Sequence, residues 1–351
     1  MKILHVITSL EIGGAQRLLS DLIPLQIKQG LEVAIAVNSS VRNSFSETIE
    51  LAGARIINLE ESNFYSPLNI FKLRKIIKGF DLIHVHLFPS LYWVALASIG
   101  LNVKLVYTEH STSNSRRSKP YFLQIEKFIY GRYDKIISIS SQTQDNLVGW
   151  LKESDSRFTI INNGVDISKF KVANQYSAPE YLIMISRFVA AKDQPTVIRA
   201  MKYIDSNVKL RFVGDGETLE FCKKLAEEEG VSERIEFMGR RSEIPDLIAD
   251  SYIGIQSSNW EGFGLTAVEI MASGKPIVAS EVDGLKHVVD DVGIIFKKGD
   301  ELDLANKINR LLSDKNYYDS VAARCSERAK EYDIHKMADN YLKVYQDIYR
   351  I

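Results

Sequence analysis

Short runs rich in β-branched and other apolar residues alternate along the whole chain with stretches whose apolar positions return every three or four residues. In the first half, Ile3–Thr8, Glu32–Val37, Arg55–Asn58, Leu82–His86, Lys104–Thr108, Lys135–Ser138 and Thr159–Ile161 have the strand pattern. Between them, AQRLLSDLIPLQIKQG and SPLNIFKLRKIIKGF carry the helical period, and Gly30 is a natural stop for the first. Periodicity lapses over residues 162–180, NNGVDISKFKVANQYSAPE, which is the predicted linker. A second series follows with YLIMIS, KLRFVG, RIEFMG, YIGIQS, PIVAS and VGIIF. Strands alternating with helices need parallel sheets joined by crossovers. The predicted fold is therefore α/β, with two Rossmann-like doubly wound domains facing across a cleft. The expected divisions are 1–165, 166–335 and a closing helix at 336–351, whose aromatic side must pack on something.

Composition changes this picture little. With 351 residues, 45% apolar and 25% charged, the chain can build two real cores. A net charge of −1 gives no support to a nucleic-acid partner. Residues 1–170, however, hold 19 Lys and Arg against 15 Asp and Glu. That excess suits an anionic membrane or acceptor, and equally a solvated surface. Cys222 and Cys325 have neither metal nor redox spacing, as expected of a reduced cytoplasmic protein. MKILHVITSL runs into EIGGAQ without a cleavage pattern and reads as a first strand. Leu82–Val103 lacks charged residues for 22 positions, long enough to span a bilayer. His84, His86, Pro89 and Ser90 near its front instead suggest a strand, a turn and a helix.

In doubly wound sheets, ligands bind beyond the carboxyl ends of strands, so the loops there are the candidate sites. Gly13 and Gly14 follow the first strand and open a helix, a place for a phosphate or simply a turn. They miss the G-x-G-x-x-G fingerprint, and strand two ends without an acid for a ribose, which counts against a nicotinamide dinucleotide. Arg187 and Lys192 bracket the loop after the first strand of the second domain, as a diphosphate clamp or as surface charge. Glu261 and Glu269 stand either side of Gly262-Phe263-Gly264, with Leu265 and Thr266 opening the next helix. Two carboxylates suit vicinal sugar hydroxyls, and the helix N–H groups between them suit a phosphate. The plainer reading of Glu269 is a helix-dipole partner. His110 lies after strand five. His84 and His86 share one strand face, but no Cys or carboxylate stands near to complete a ligand set, so no metal is expected. Arg116, Arg117 and Lys119 lead into PYFLQIEKFIYGRY, which offers a basic cluster and an aromatic helix to an acceptor or a lipid surface, or forms a solvated loop and core-facing helix.

These pieces, in this order, resemble the retaining, metal-independent GT-B nucleotide-sugar glycosyltransferases of family 4 over essentially the whole chain. The resemblance rests on Glu261-x7-Glu269, Arg187, Lys192, FVGDGE, NNGVD and the Gly pair. TEHSTSNSRR is further similar to members that build bacterial capsule, exopolysaccharide or O-antigen units. The resemblance implies that Glu269 holds the donor ribose, Glu261 lies by the transferred sugar, and Arg187 and Lys192 stabilise the leaving diphosphate. Gly13 and Gly14 would close on that diphosphate, His110 would line the reaction centre, and Gly239 and Arg240 would border the base. It implies a UDP-sugar donor, no cofactor, a glycan or lipid-diphosphate-linked acceptor, and a final helix crossing back to the first domain. A nucleotide-sugar 2-epimerase and a non-catalytic sugar-nucleotide-binding subunit are the rival readings.

Overall fold

The computed structural model describes residues 1–11, 13–38, 42–60, 63–112, 114–170 and 181–350. The second half of the predicted linker, residues 171–180, lies outside the described residues. The chain forms two compact units, Met1–Gly164 with Ile334–Ile351, and Val165–Asp333.

The first unit holds strands β1 (Lys2–Val6), β2 (Glu32–Val37), β3 (Arg55–Asn58), β4 (Leu82–His86), β5 (Lys104–Glu109), β6 (Lys135–Ser138) and β7 (Phe158–Ile160). They form a seven-stranded sheet in the order β3-β2-β1-β4-β5-β6-β7, every pair parallel. The central strands read as continuous apolar runs because helices cover both faces. One face packs Ile3, Ile35 and Val106 against Leu18, Leu22 and the final helix through Tyr341, Tyr345 and Ile348. The other packs Leu4, Val85 and Tyr107 against Leu73, Val94 and Ile129.

The second unit holds β8 (Tyr181–Ile185), β9 (Lys209–Val213), β10 (Ile235–Phe237), β11 (Ile253–Gln256), β12 (Ile277–Ser280) and β13 (Ile294–Phe296). Their order is β10-β9-β8-β11-β12-β13, again all parallel. Strand order reverses between β1 and β4 in one sheet and between β8 and β11 in the other. Those are the switch points where neighbouring loops diverge and leave room for a ligand.

The chain passes between the units at 164/165 and again at 333/334. Gly164 is needed at the first crossing, since a Cβ there would meet Ile334 Cα at 2.6 Å. Val165 donates its N–H to Tyr332 O at 2.8 Å, so the two crossings run side by side. The final helix, Ile334–Arg350, begins two residues earlier than its sequence pattern suggested. Leu82–Val103 folds as β4, a turn and the helix Ser90–Ala97. Among the described residues, no helix is long and apolar enough to cross a membrane.

Candidate functional site

The switch point of the second sheet gathers most of the residues singled out in the sequence. After β8, the chain turns through exposed Arg187 to Lys192 and enters the helix Gln194–Ala200. This loop is fixed by its neighbours. Gln194 Nε2 donates to Arg187 O at 2.9 Å, and Ser257 Oγ lies 2.9 Å from the carbonyls of both Lys192 and Asp193. Asn259 donates its N–H to Ala191 O at 2.8 Å, tying the loop after β11 to the loop after β8.

FVGDGE is the third strap. Gly214 has φ +141°, and a Cβ there would stand 1.9 Å from Ser186 O. Gly216 has φ +156°, with Phe188 O only 2.3 Å from the same imagined atom. Both glycines are required by close approach of one backbone to the segment carrying Arg187. Gly214 N–H also donates to Gly239 O at 2.8 Å, which brings the predicted base-bordering loop alongside. Gly239 itself has φ +66°, and exposed Arg240 pairs with Asp215 at 3.4 Å.

Lys192 Nζ forms an ion pair with Glu261 Oε2, both side chains about four-fifths buried. The other carboxylate oxygen of Glu261 accepts from Gly262 N–H at 3.2 Å. The pair places a cation and a hydrogen-bond acceptor together at the mouth of one switch point. Phe263 is buried and meets Tyr332 edge-on, anchoring the turn. Gly264, at φ +94°, is the N-cap of the helix Leu265–Ala272 and offers no capping side chain. The first N–H groups of that helix, those of Leu265 and Thr266, have no intrahelical acceptor by construction. Glu269 falls in the second turn and is 1% exposed. The helix-dipole reading of Glu269 is thus corrected, since no acid lies in the first turn.

The first unit carries the remaining candidates. Gly13 caps the helix Gly14–Lys28 in extended conformation, so its φ makes no demand for glycine. A Cβ there would meet the end of the Gln16 side chain at 2.4 Å, and no side chain caps this helix start at the β1/β4 switch point. His110 follows β5 and shares a hydrogen bond of 3.1 Å with His86.

Arg116 and Arg117 do not form the basic cluster expected of them. Arg116 Nε donates to Glu126 at 2.7 Å, and Arg117 Nη2 to Glu109 at 2.9 Å, with all four side chains largely or wholly buried. Glu126 also accepts from Tyr92 and Trp150, and Glu109 from Tyr130 and the Ser111 N–H. Burial raises the pKa of Glu109, and the Arg117 charge partly offsets the rise. Their charges are compensated inside the unit, which leaves only exposed Lys119 of the three cations facing water. Arg117 Nη1 also reaches Thr112 O at 3.3 Å, so its evident task is to brace the loop that begins with His110.

Sequence reasoning also missed His5. Parallel register sets His5 opposite His84, and the three imidazoles of His5, His84 and His86 offer ligand atoms within 4.8 Å of one another. The third member is a histidine, not the Cys or carboxylate looked for in the sequence around His84 and His86. Every ring nitrogen of the three is nonetheless hydrogen-bonded, to Gln26, Tyr345, Thr108, His110 or one another. The visible signal was slight: one histidine in MKILHV and a tyrosine more than two hundred residues away.

Two families match the chain: Glycosyl transferases group 1 over residues 166–332, and Glycosyltransferase Family 4 over residues 12–169. An uncharacterized glycosyltransferase of Methanocaldococcus jannaschii is 30% identical over 294 residues, 80% of each chain. The chain belongs to the group 1 glycosyltransferases. N-acetyl-alpha-D-glucosaminyl L-malate synthase of Bacillus anthracis is 29% identical over 78% of this glycosyltransferase and 76% of that protein. UDP-Gal:alpha-D-GlcNAc-diphosphoundecaprenol alpha-1,3-galactosyltransferase of Escherichia coli is 24% identical over 99% and 97%. Anabaena HepE, solved with UDP and glucose, superposes with a TM-score of 0.85 at 23% identity, covering 99% and 100%. Two parallel-sheet α/β units and these neighbours make this a glycosyltransferase of the GT-B type.

Proposed function

We propose that this glycosyltransferase moves a hexose or N-acetylhexosamine, with retention and without a metal, from a UDP-sugar to a hydroxyl of a lipid-diphosphate-linked glycan in bacterial surface polysaccharide synthesis. The observation that carries the reading is the switch point of the second sheet. There, Arg187, the Lys192 and Glu261 pair, and the uncapped helix start after Gly264 stand on loops strapped to one another. Charge grows on the leaving β-phosphate as the C1–O bond loosens. Cations and N–H groups placed beforehand stabilise that state more than the ground state. In this reading Glu269 takes the ribose hydroxyls, Glu261 holds Lys192 and lies by the sugar, and Gly239 and Arg240 border the base. The Gly13 and Gly14 helix start and His110 serve the diphosphate and the sugar. With no protein nucleophile assigned, the acceptor oxygen attacks from the leaving-group side and the phosphate takes its proton.

The donor and acceptor classes draw support from the full-length likeness to the galactosyltransferase that uses UDP-Gal and a diphosphoundecaprenol-linked sugar. Peripheral contact with an anionic membrane draws support from Tyr121, Ile125 and Phe128, which form an exposed stripe along the helix Phe122–Tyr130 beside exposed Lys119 and Arg132. Thermal unfolding with UDP, GDP, ADP and their sugars, under chelation, tests the donor. A specific ligand adds about 2.7 kcal/mol at a hundred times its dissociation constant. Arg187→Ala and Glu269→Gln should abolish the shift. A folded protein that no nucleotide stabilises would overturn the donor site. Donor epimerisation without acceptor would replace transfer with the epimerase reading.

A further inference from the structure

Beneath the carboxyl edge of the first sheet, the core contains a continuous polar line that donor binding leaves unexplained. Gln26, from the helix Gly14–Lys28, His5 from β1, and His84 and His86 from β4 are all fully buried. Gln26 Nε2 donates to Tyr345 Oη at 3.2 Å, so its Oε1 faces His5 Nε2 at 2.8 Å and accepts from it. A neutral imidazole has one donor and one acceptor, so each link dictates the next. His5 Nδ1 therefore accepts from His86 Nε2 at 3.0 Å, and His86 Nδ1 accepts from His110 Nε2 at 3.1 Å. The same amide starts a second branch. Tyr345 Oη, having accepted from Gln26, donates to His84 Nδ1 at 2.6 Å, and His84 Nε2 donates to Thr108 Oγ1 at 2.7 Å. Each ring N–H and the Tyr345 hydroxyl meets an acceptor in this arrangement.

We propose that the line Gln26, His5, His86, His110 sets the tautomer of His110, holding its proton on Nε2 and turning a bare Nδ1 outward to accept a hydroxyl of the transferred sugar. The inference rests on the reading that His110 meets the donor sugar. His110 is the group that touches substrate; Gln26, His5 and His86 are positioning residues. Among the described residues, no protein hydrogen bond is recorded to His110 Nδ1. Burial keeps the rings neutral: His5 and His110 are lowered to about 4, and His84 and His86 lie well below the ordinary value, with neighbouring imidazoles opposing a second charge. Neutral rings in a dry line have a definite proton order, whereas a charged ring would carry protons on both nitrogens. A metal ion in place of this line would have to displace hydrogen bonds already made by all six nitrogens of His5, His84 and His86.

The test is nitrogen-15 NMR of the histidine-labelled full chain near neutral pH, with signals assigned through His110→Gln and His5→Gln. His5, His86 and His110 should each show a protonated Nε2 and a bare Nδ1. Gln26→Met removes the terminal acceptor while filling similar space. It should leave His110 sampling both tautomers, its two nitrogen shifts drawn together, with kcat down about two- to tenfold and donor KM unchanged, the worth of one hydrogen bond. Gln26→Glu keeps an acceptor and should restore the order. A wild-type His110 that carries its proton on Nδ1, or exchanges freely between nitrogens, overturns the proposal whatever the variants do. So does loss of the ring protons on dialysis against zinc, which would assign the cluster to a metal. If the tautomers are as expected but no UDP-sugar moves the His110 signals, the relay stands and the donor reading of His110 fails.

Discussion

Acidification should destabilise the first unit well before its carboxylates titrate, because the fold refuses protons that the unfolded chain accepts. His5 and His110 are lowered from 6.5 to about 4 by burial. Above 6.5 both states hold neutral rings and stability is complete. As pH falls from 6.5 towards about 4, only the unfolded rings gain a proton, so stability is lost across that window. At pH 5 the unfolded state is favoured by about 1.5 pH units of binding, roughly 2 kcal/mol for His5 and somewhat less for His110, whose outer edge meets solvent. His84 and His86 shift in the same direction. Glu109 opposes them: its raised pKa lets the fold take a proton more readily than the unfolded chain, so acid relieves part of its burial cost. The sum is a large share of the roughly 5–15 kcal/mol that holds a domain together. Urea unfolding of Trp260→Phe, in which emission comes only from Trp93 and Trp150 of the first unit, should show the midpoint falling steeply between pH 7.5 and 5. His5→Gln should flatten that dependence by about 2 kcal/mol. A midpoint constant over this range, or an identical slope in the variant, would refute the buried neutral cluster.

Arg117→Met should cost about 3–5 kcal/mol by stranding buried Glu109, and adding Glu109→Leu should recover most of it, as read from denaturant midpoints. Gly214→Ala forces a side chain onto Ser186 O at φ +141° and should destabilise the second unit by at least about 2 kcal/mol, with nucleotide affinity falling as the Arg187 segment shifts. Lys192→Ala should lower kcat about a hundredfold in a transfer assay, with its partner Glu261 left in place. Serine at Tyr121, Ile125 and Phe128 together should release the protein from anionic vesicles at unchanged thermal stability, because all three side chains are exposed.

The thirteen strands among the described residues were legible in the chain to within a residue or two, because a strand buried on both faces is a local apolar run and a crossover helix has its own local period. The loops bearing Arg187, Lys192, Glu261 and Gly264 were legible for the same reason, since each follows directly on such a run. Which groups meet was decided elsewhere. His5 joins His84 only through parallel register between strands separated by three crossovers, and Tyr345 joins them from the last helix. Arg116 and Arg117 look like free cations until Glu126 and Glu109 are brought beneath them. Charge state, tautomer and exposure depend on neighbours drawn from distant parts of the chain, so local pattern determines the elements and their loops. Packing alone determines which of those residues stay charged, neutral or available.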